Sequence, residues 1–227
     1  MSGQIIIVSG TSGAGKSTTC DLFAKRSNDF YLRFGIDQFM GGVFPSKFGH
    51  HGERCREGYY REPLDKNDPE GTLRWYFAEN GWRAVETLHE WAAAASRTGC
   101  NIVLDHLMMT DPPMLQDCIW RLEGLPVLFV TVKPPYEVLM ERVASRPMAE
   151  HPEAAKDGNE GIKRAIEALH RLRPWFYQSV YANDCYDLVI DTTQHDPESV
   201  CTLIEKRLAE GPGTAFDELR KRYAKPF

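Results

Sequence analysis

The 227-residue sequence has no C-x-x-C pair, no long apolar run, no block of like charge and no internal repeat. Each absence excludes something. Its six cysteines (Cys20, Cys55, Cys100, Cys118, Cys185, Cys201) lack metal-motif and redox-motif spacing. They read as reduced, mostly buried thiols of a cytoplasmic protein. No stretch approaches the roughly 20 apolar residues that cross a bilayer, and residues 1–4 do not resemble a signal peptide. A membrane partner is therefore not expected. The net charge is −5, with no basic tail, which disfavours nucleic acid as a partner. His50-His51 and His106 have no zinc-like spacing and read as surface or substrate-contact residues; His106 follows Asp105 and is expected to line an acceptor pocket.

What is present starts near the N-terminus. Ile5 to Val8 is a β-branched run, read as a buried parallel strand. It leads into Gly10-Thr11-Ser12-Gly13-Ala14-Gly15-Lys16-Ser17-Thr18, which fits G-x-x-x-x-G-K-[ST]. Glycines let successive backbone N–H groups turn toward one point, a concavity suited to phosphate oxygens. Lys16 is placed to reach the outer phosphates and Ser17 to ligate Mg²⁺. The helix that follows points its positive end at the same spot.

Apolar runs then recur at Phe30–Ile36, Asn101–Leu104, Val127–Val132 and Asp187–Ile190, separated by helical patterns. Alternating elements with strands apolar throughout predict an α/β fold, a five-stranded parallel sheet covered on both faces. A single domain over residues 1–227 is expected. It comprises an irregular acceptor-side insertion at about 38–71, a lid region at about 142–183 and a tail at about 209–227. Residues 72–97 read as one long helix carrying Trp75, Tyr76, Phe77, Trp82 and Trp91, with Gly81 as an interruption. Residues 160–181 read as another helix, containing Pro174.

Ligands of such sheets sit beyond the C-terminal strand edges. Asp37, Asp105 and Thr192 fall at those edges beside the phosphate loop. A kinase needs a carboxylate to receive the acceptor's proton. Asp37, next to the long connection, suits that role, and Asp105 suits Mg²⁺ together with Ser17; the sequence leaves the reverse assignment open. Arg142 and Arg146 lie four apart on one helical face, able to close over a nucleotide and neutralise the moving phosphoryl group. Lys163, Arg164, Arg171 and Arg173 are also basic and near the lid, without a ranking among them. The site is thus expected to hold ATP and Mg²⁺ and to serve a small molecule with a hydroxyl. Rival readings are a kinase of a nucleoside, sugar or other metabolite, and a nucleotide-dependent switch or ATPase. Against the switch, the chain lacks a guanine-reading N-K-x-D motif.

With Phe34-Gly35-Ile36-Asp37, the Asn101–Asp105 strand and Tyr186-Asp187-Leu188-Val189-Ile190-Asp191-Thr192-Thr193 read in order after the loop, the chain resembles the chloramphenicol phosphotransferase-like family of P-loop kinases over roughly residues 4–205. The resemblance implies a nucleoside-kinase-like three-layer fold with a helical lid, and transfer of the ATP γ-phosphoryl group to a hydroxyl, in the founding member that of an antibiotic. It also implies Asp37 as general base, residues 10–18 as the ATP loop and Arg142 and Arg146 as lid arginines. The sequence departs from the family at Asp105-His106, at Arg146-Pro147-Met148 and in a longer segment over 147–183.

Overall fold

A computed structural model describes residues 2–144 and 154–226. The central strand β1 (Ile5–Ser9) is buried at every position. That is what a run of three isoleucines and a valine requires when both sheet faces are covered. Parallel neighbours flank it: β5 (Asn101–His106) on one side and β6 (Val127–Val132) on the other. β2 (Tyr31–Gly35) and β7 (Leu188–Ile190) complete the sheet in the order β2-β5-β1-β6-β7, all parallel. Two groups of helices pack with it. One is α1 (Lys16–Arg26) with α7 (Pro197–Ala209); the other is α3 (Glu79–Arg97) with α4 (Met114–Arg121) and α8 (Ala215–Arg222). The five expected strands are present within a residue or two of their expected ends.

Residues 36–77 depart from expectation. Asp37 sits in the first turn of a short helix, α2 (Ile36–Gly42), and two 3-10 turns follow it. β3 (Tyr59–Pro63) then pairs antiparallel with β4 (Leu73–Phe77), with Tyr60 opposite Tyr76 and Arg61 opposite Trp75. The helix expected over 72–97 therefore begins at Glu79, and Trp75, Tyr76 and Phe77 lie on a strand. Aromatic side chains favour the pleated surface, and the hairpin stacks them: Tyr59 lies 5.6 Å from Phe77 and 5.5 Å from Trp75 between ring centroids. Gly81 holds this hairpin against α3, because a Cβ there would stand 2.4 Å from the Gly58 carbonyl oxygen.

α5 (Tyr136–Ala144) and α6 (Ala154–Tyr181) form the lid side, and α6 runs on through Pro174. The hairpin tip is tied to α6, since Arg171 donates from Nε to the Gly71 carbonyl at 2.9 Å and from Nη2 to that of Pro69 at 2.5 Å. The tail docks. The Asp187 carboxylate accepts from Thr214 N at 2.7 Å and Ala215 N at 3.0 Å, while Phe216 and Leu219 are buried. No helix among the described residues is long and apolar enough to cross a membrane.

Candidate active site

The phosphate loop joins β1 to α1, and its glycines have identifiable work. Gly10 passes so close to β6 that a Cβ would lie 2.7 Å from the Val132 carbonyl oxygen. Gly15 adopts φ 100° as it opens α1, a conformation that favours glycine. The loop lines a cavity of about 380 Å³ with Thr11, Ser12, Gly13, Gly15, Lys16, Ser17 and Thr18. Asp37, Trp75 and Leu107 form another wall, and Leu172, Arg173, Phe176 and Tyr177 of α6 the third. Gly10 and Ala14 lie outside this lining; Ala14 is fully buried behind the loop.

Beneath the loop, Ser17 Oγ donates to Asp105 Oδ2 at 2.5 Å. Asp105 Oδ1 is buried without a hydrogen bond and lies 3.6 Å from Lys16 Nζ, which also donates to the Thr11 carbonyl at 3.2 Å. Asp37, in contrast, is exposed at the chamber wall. The two aspartates thus differ: one is buried against the loop's hydroxyl and amine, the other is exposed.

A second chamber of about 180 Å³ lies beyond that wall, and Asp37, Trp75 and Leu107 border both. It is lined otherwise by apolar, thioether and aromatic groups, among them Met40, His50, Tyr59, Phe77 and Met109. Burial, followed by the charge of Asp37, raises the Tyr59 phenol above its usual value.

On the far side of the loop, Arg142 and Thr192 meet. The guanidinium donates from Nη1 to Thr192 Oγ1 at 2.8 Å and from Nη2 to its carbonyl at 2.9 Å. Thr192 Oγ1 donates in turn to the Ala14 carbonyl at 3.0 Å. Both residues line a cleft of about 470 Å³ with Gly15, Thr18 and residues 193–197. Arg146 lies outside the described residues.

Sequence reasoning did not single out Tyr181, and it named Arg173 and Trp75 without giving either a role in the site. Tyr181, at the end of α6, accepts from Thr11 N at 3.2 Å and donates to the Val132 carbonyl at 2.8 Å, pinning the loop to α6. Its spacing along α6 marks it as core and nothing more. Arg173 projects into the main cavity, and Trp75 divides the two chambers.

His106 does not line a pocket. It is wholly buried, with Nε2 2.9 Å from His89 Nε2; His89 Nδ1 in turn donates to Asp117 Oδ2 at 2.6 Å. Burial, then the neighbouring His89, holds the His106 imidazole well below its usual value. Strand alternation explains the correction: Asp105 faces α1, so the next residue faces α3. His50, by contrast, does line the smaller chamber. No cluster of three metal-ligating side chains exists among the described residues.

Comparison with solved structures gives the same architecture. A Mycobacterium tuberculosis APS kinase, solved with AMPPNP and APS, aligns with a TM-score of 0.55 at 13% identity, over 92% of this chain and 98% of its own. A sugar kinase from Janibacter sp. aligns at 0.51 and 17%, over 92% and 95%. A putative kinase from Chloroflexus aurantiacus aligns at 0.50 and 16%, over 92% and 98%. At these identities the likeness is one of fold, that of P-loop kinases. No curated protein matches the sequence. The family model for chloramphenicol phosphotransferase-like proteins matches residues 3–209, and the chain belongs to that family of nucleotide-binding phosphotransferases.

Proposed function

We propose that this P-loop kinase transfers the γ-phosphoryl group of ATP, with Mg²⁺, to a hydroxyl of a small molecule. The observation that carries the reading is the position of Asp37. It stands on the wall shared by the phosphate-loop cavity and the smaller chamber, where a hydroxyl entering from one side meets a phosphoryl group presented from the other. The acceptor oxygen forms a bond to the γ-phosphorus as the bond to the β,γ-bridging oxygen breaks. ADP leaves with that electron pair, and Asp37 takes the hydroxyl proton.

The geometry supports the remaining roles. Backbone N–H groups of residues 12–18 and the Lys16 ammonium bind phosphate oxygens. Arg142, Thr192 and the cleft around them hold the base and ribose side of the nucleotide. Ser17 and Asp105 fit a Mg²⁺ site, because Asp105 Oδ1 is buried with no hydrogen bond and its partner oxygen is already aligned on the Ser17 hydroxyl. Bound there, Mg²⁺ offsets phosphate charge. Six free thiols, three of them buried, fit a reducing, cytoplasmic setting.

An ATP-consumption screen over antibiotics, nucleosides and sugars identifies the acceptor. With it in hand, Asp37→Asn is expected to keep ATP affinity while lowering turnover by roughly 10²–10⁴-fold. Wild-type turnover in that variant would remove Asp37 as base. ATP loss without any acceptor product across the screen would favour the ATPase reading.

A further inference from the structure

The main cavity contains a cation that the mechanism above does not use. Arg173 is 8% exposed and lines the cavity that the phosphate loop also lines. It has no carboxylate partner among the described residues. Its Nη1 donates only to soft or neutral acceptors, His170 Nδ1 at 3.3 Å and Met140 Sδ at 3.7 Å. Its Nε is buried with no acceptor at all. Two other poorly exposed arginines each sit on a carboxylate, Arg121 on Asp117 and Arg220 on Asp217.

A buried guanidinium without a counter-charge is unfavourable unless an anion completes it. Burial also lowers its hold on the proton. The same cavity presents Lys16 and the loop's N–H groups, so the anion expected there is a phosphoryl group, and a planar fork of N–H donors matches its oxygens.

We propose that Arg173 is a catalytic residue that binds the γ-phosphoryl oxygens of the nucleotide during transfer. This rests on the kinase reading. As the acceptor oxygen bonds to phosphorus and the bridging bond to ADP breaks, charge spreads over the non-bridging oxygens, and Arg173 meets it from the side facing Lys16. The lid's contribution then comes from the body of α6, not solely from Arg142 and Arg146.

The test compares binding of Mg·ADP and of the Mg complex of β,γ-imido-ATP by calorimetry, with the ligand-free thermal midpoint, for wild type, Arg173→Met and Arg173→Gln. Wild type is expected to prefer the imido triphosphate. Arg173→Met is expected to lose on the order of tenfold of that preference while its ADP affinity stays within about twofold. Its ligand-free midpoint should be equal to or above that of wild type, since a charge without a partner has been removed. Arg173→Gln should lose the preference likewise.

A variant that keeps the wild-type preference overturns the proposal, and is also what an arginine reserved for an anionic acceptor group would give. So do equal affinities in wild type, a fall in midpoint together with ADP affinity, or failure of both variants to fold, which would make Arg173 structural. If wild type binds neither nucleotide, the kinase reading itself fails, and the proposal falls with it.

Discussion

Ser17 Oγ and Asp105 Oδ2 stand 2.5 Å apart, so a hydrogen bond joins the hydroxyl of the phosphate loop to the carboxylate of the neighbouring strand. Replacing Asp105 with Asn keeps the shape and removes the charge. The Mg²⁺ concentration needed for half-maximal ATP binding should rise about 10–100-fold, the usual effect of disturbing a metal's ligand shell. A Mg²⁺ titration of ATP binding decides it; an unchanged midpoint would separate Asp105 from the cation.

Tyr181→Phe removes both hydrogen bonds of the phenol, to Thr11 N and to the Val132 carbonyl. Each is worth about 1 kcal/mol. Urea unfolding should show a loss of about 1–2 kcal/mol, accompanied by weaker ATP binding, because the loop loses its support. Unaltered nucleotide affinity at that lower stability would show that the phenol serves the core alone.

Asp117 holds the buried His89 and is held by Arg121, whose Nε lies 2.8 and 2.9 Å from its oxygens. Asp117→Ala leaves buried donors without an acceptor and should cost about 1–3 kcal/mol. Burial opposes the Asp117 charge, yet hydrogen bonds from His89 and Arg121 outweigh it and hold the carboxyl below its ordinary 3.8. The folded value is below the unfolded one. This contribution is therefore complete above pH 3.8 and lost as pH falls through the folded value. Unfolding curves at pH 7 and pH 3 should show a smaller difference in Asp117→Asn than in wild type.

Phe216 anchors the tail, 5.2 Å from the Phe129 ring on β6. Phe216→Ala should destabilise the protein by about 3–5 kcal/mol with ATP affinity of the folded protein unchanged. A negligible effect in thermal or urea unfolding would mean that α8 contributes little to the core.

The donor half of the site was legible because its physics is local. A β-branched run, a glycine-rich turn and a helix start specify the phosphate loop within fifteen residues, and an aspartate after an apolar run marks a strand's edge. The acceptor half was not legible in the same way. Leu73, Tyr76 and Phe77 match a helical period, so β4 merged with the helix that follows it, and Ala78 before Glu79 offers no capping side chain to mark the boundary. A signal was present nevertheless. Two five-residue segments rich in aromatics, Tyr59–Pro63 and Leu73–Phe77, flank a turn-forming cluster, Asp65-Lys66-Asn67-Asp68-Pro69-Glu70-Gly71. Arg173 and Tyr181 belong to a different category. Each occupies an ordinary position on an amphipathic helix, and only the packing of α6 beside the loop brings one to the cavity that the loop lines and the other into hydrogen bonds with Thr11 and Val132.

α6 is held at two places, by the hairpin tip at Arg171 and by the phosphate loop at Tyr181. Ten residues of helix separate them, about 15 Å of rod. A compound that shifted the hairpin on entering the smaller chamber would therefore pull on the helix that braces the phosphate loop. Linkage makes the effect mutual: the factor by which an acceptor changes ATP affinity is the factor by which ATP changes acceptor affinity. Acceptors sought by binding alone are for that reason best sought with nucleotide already present.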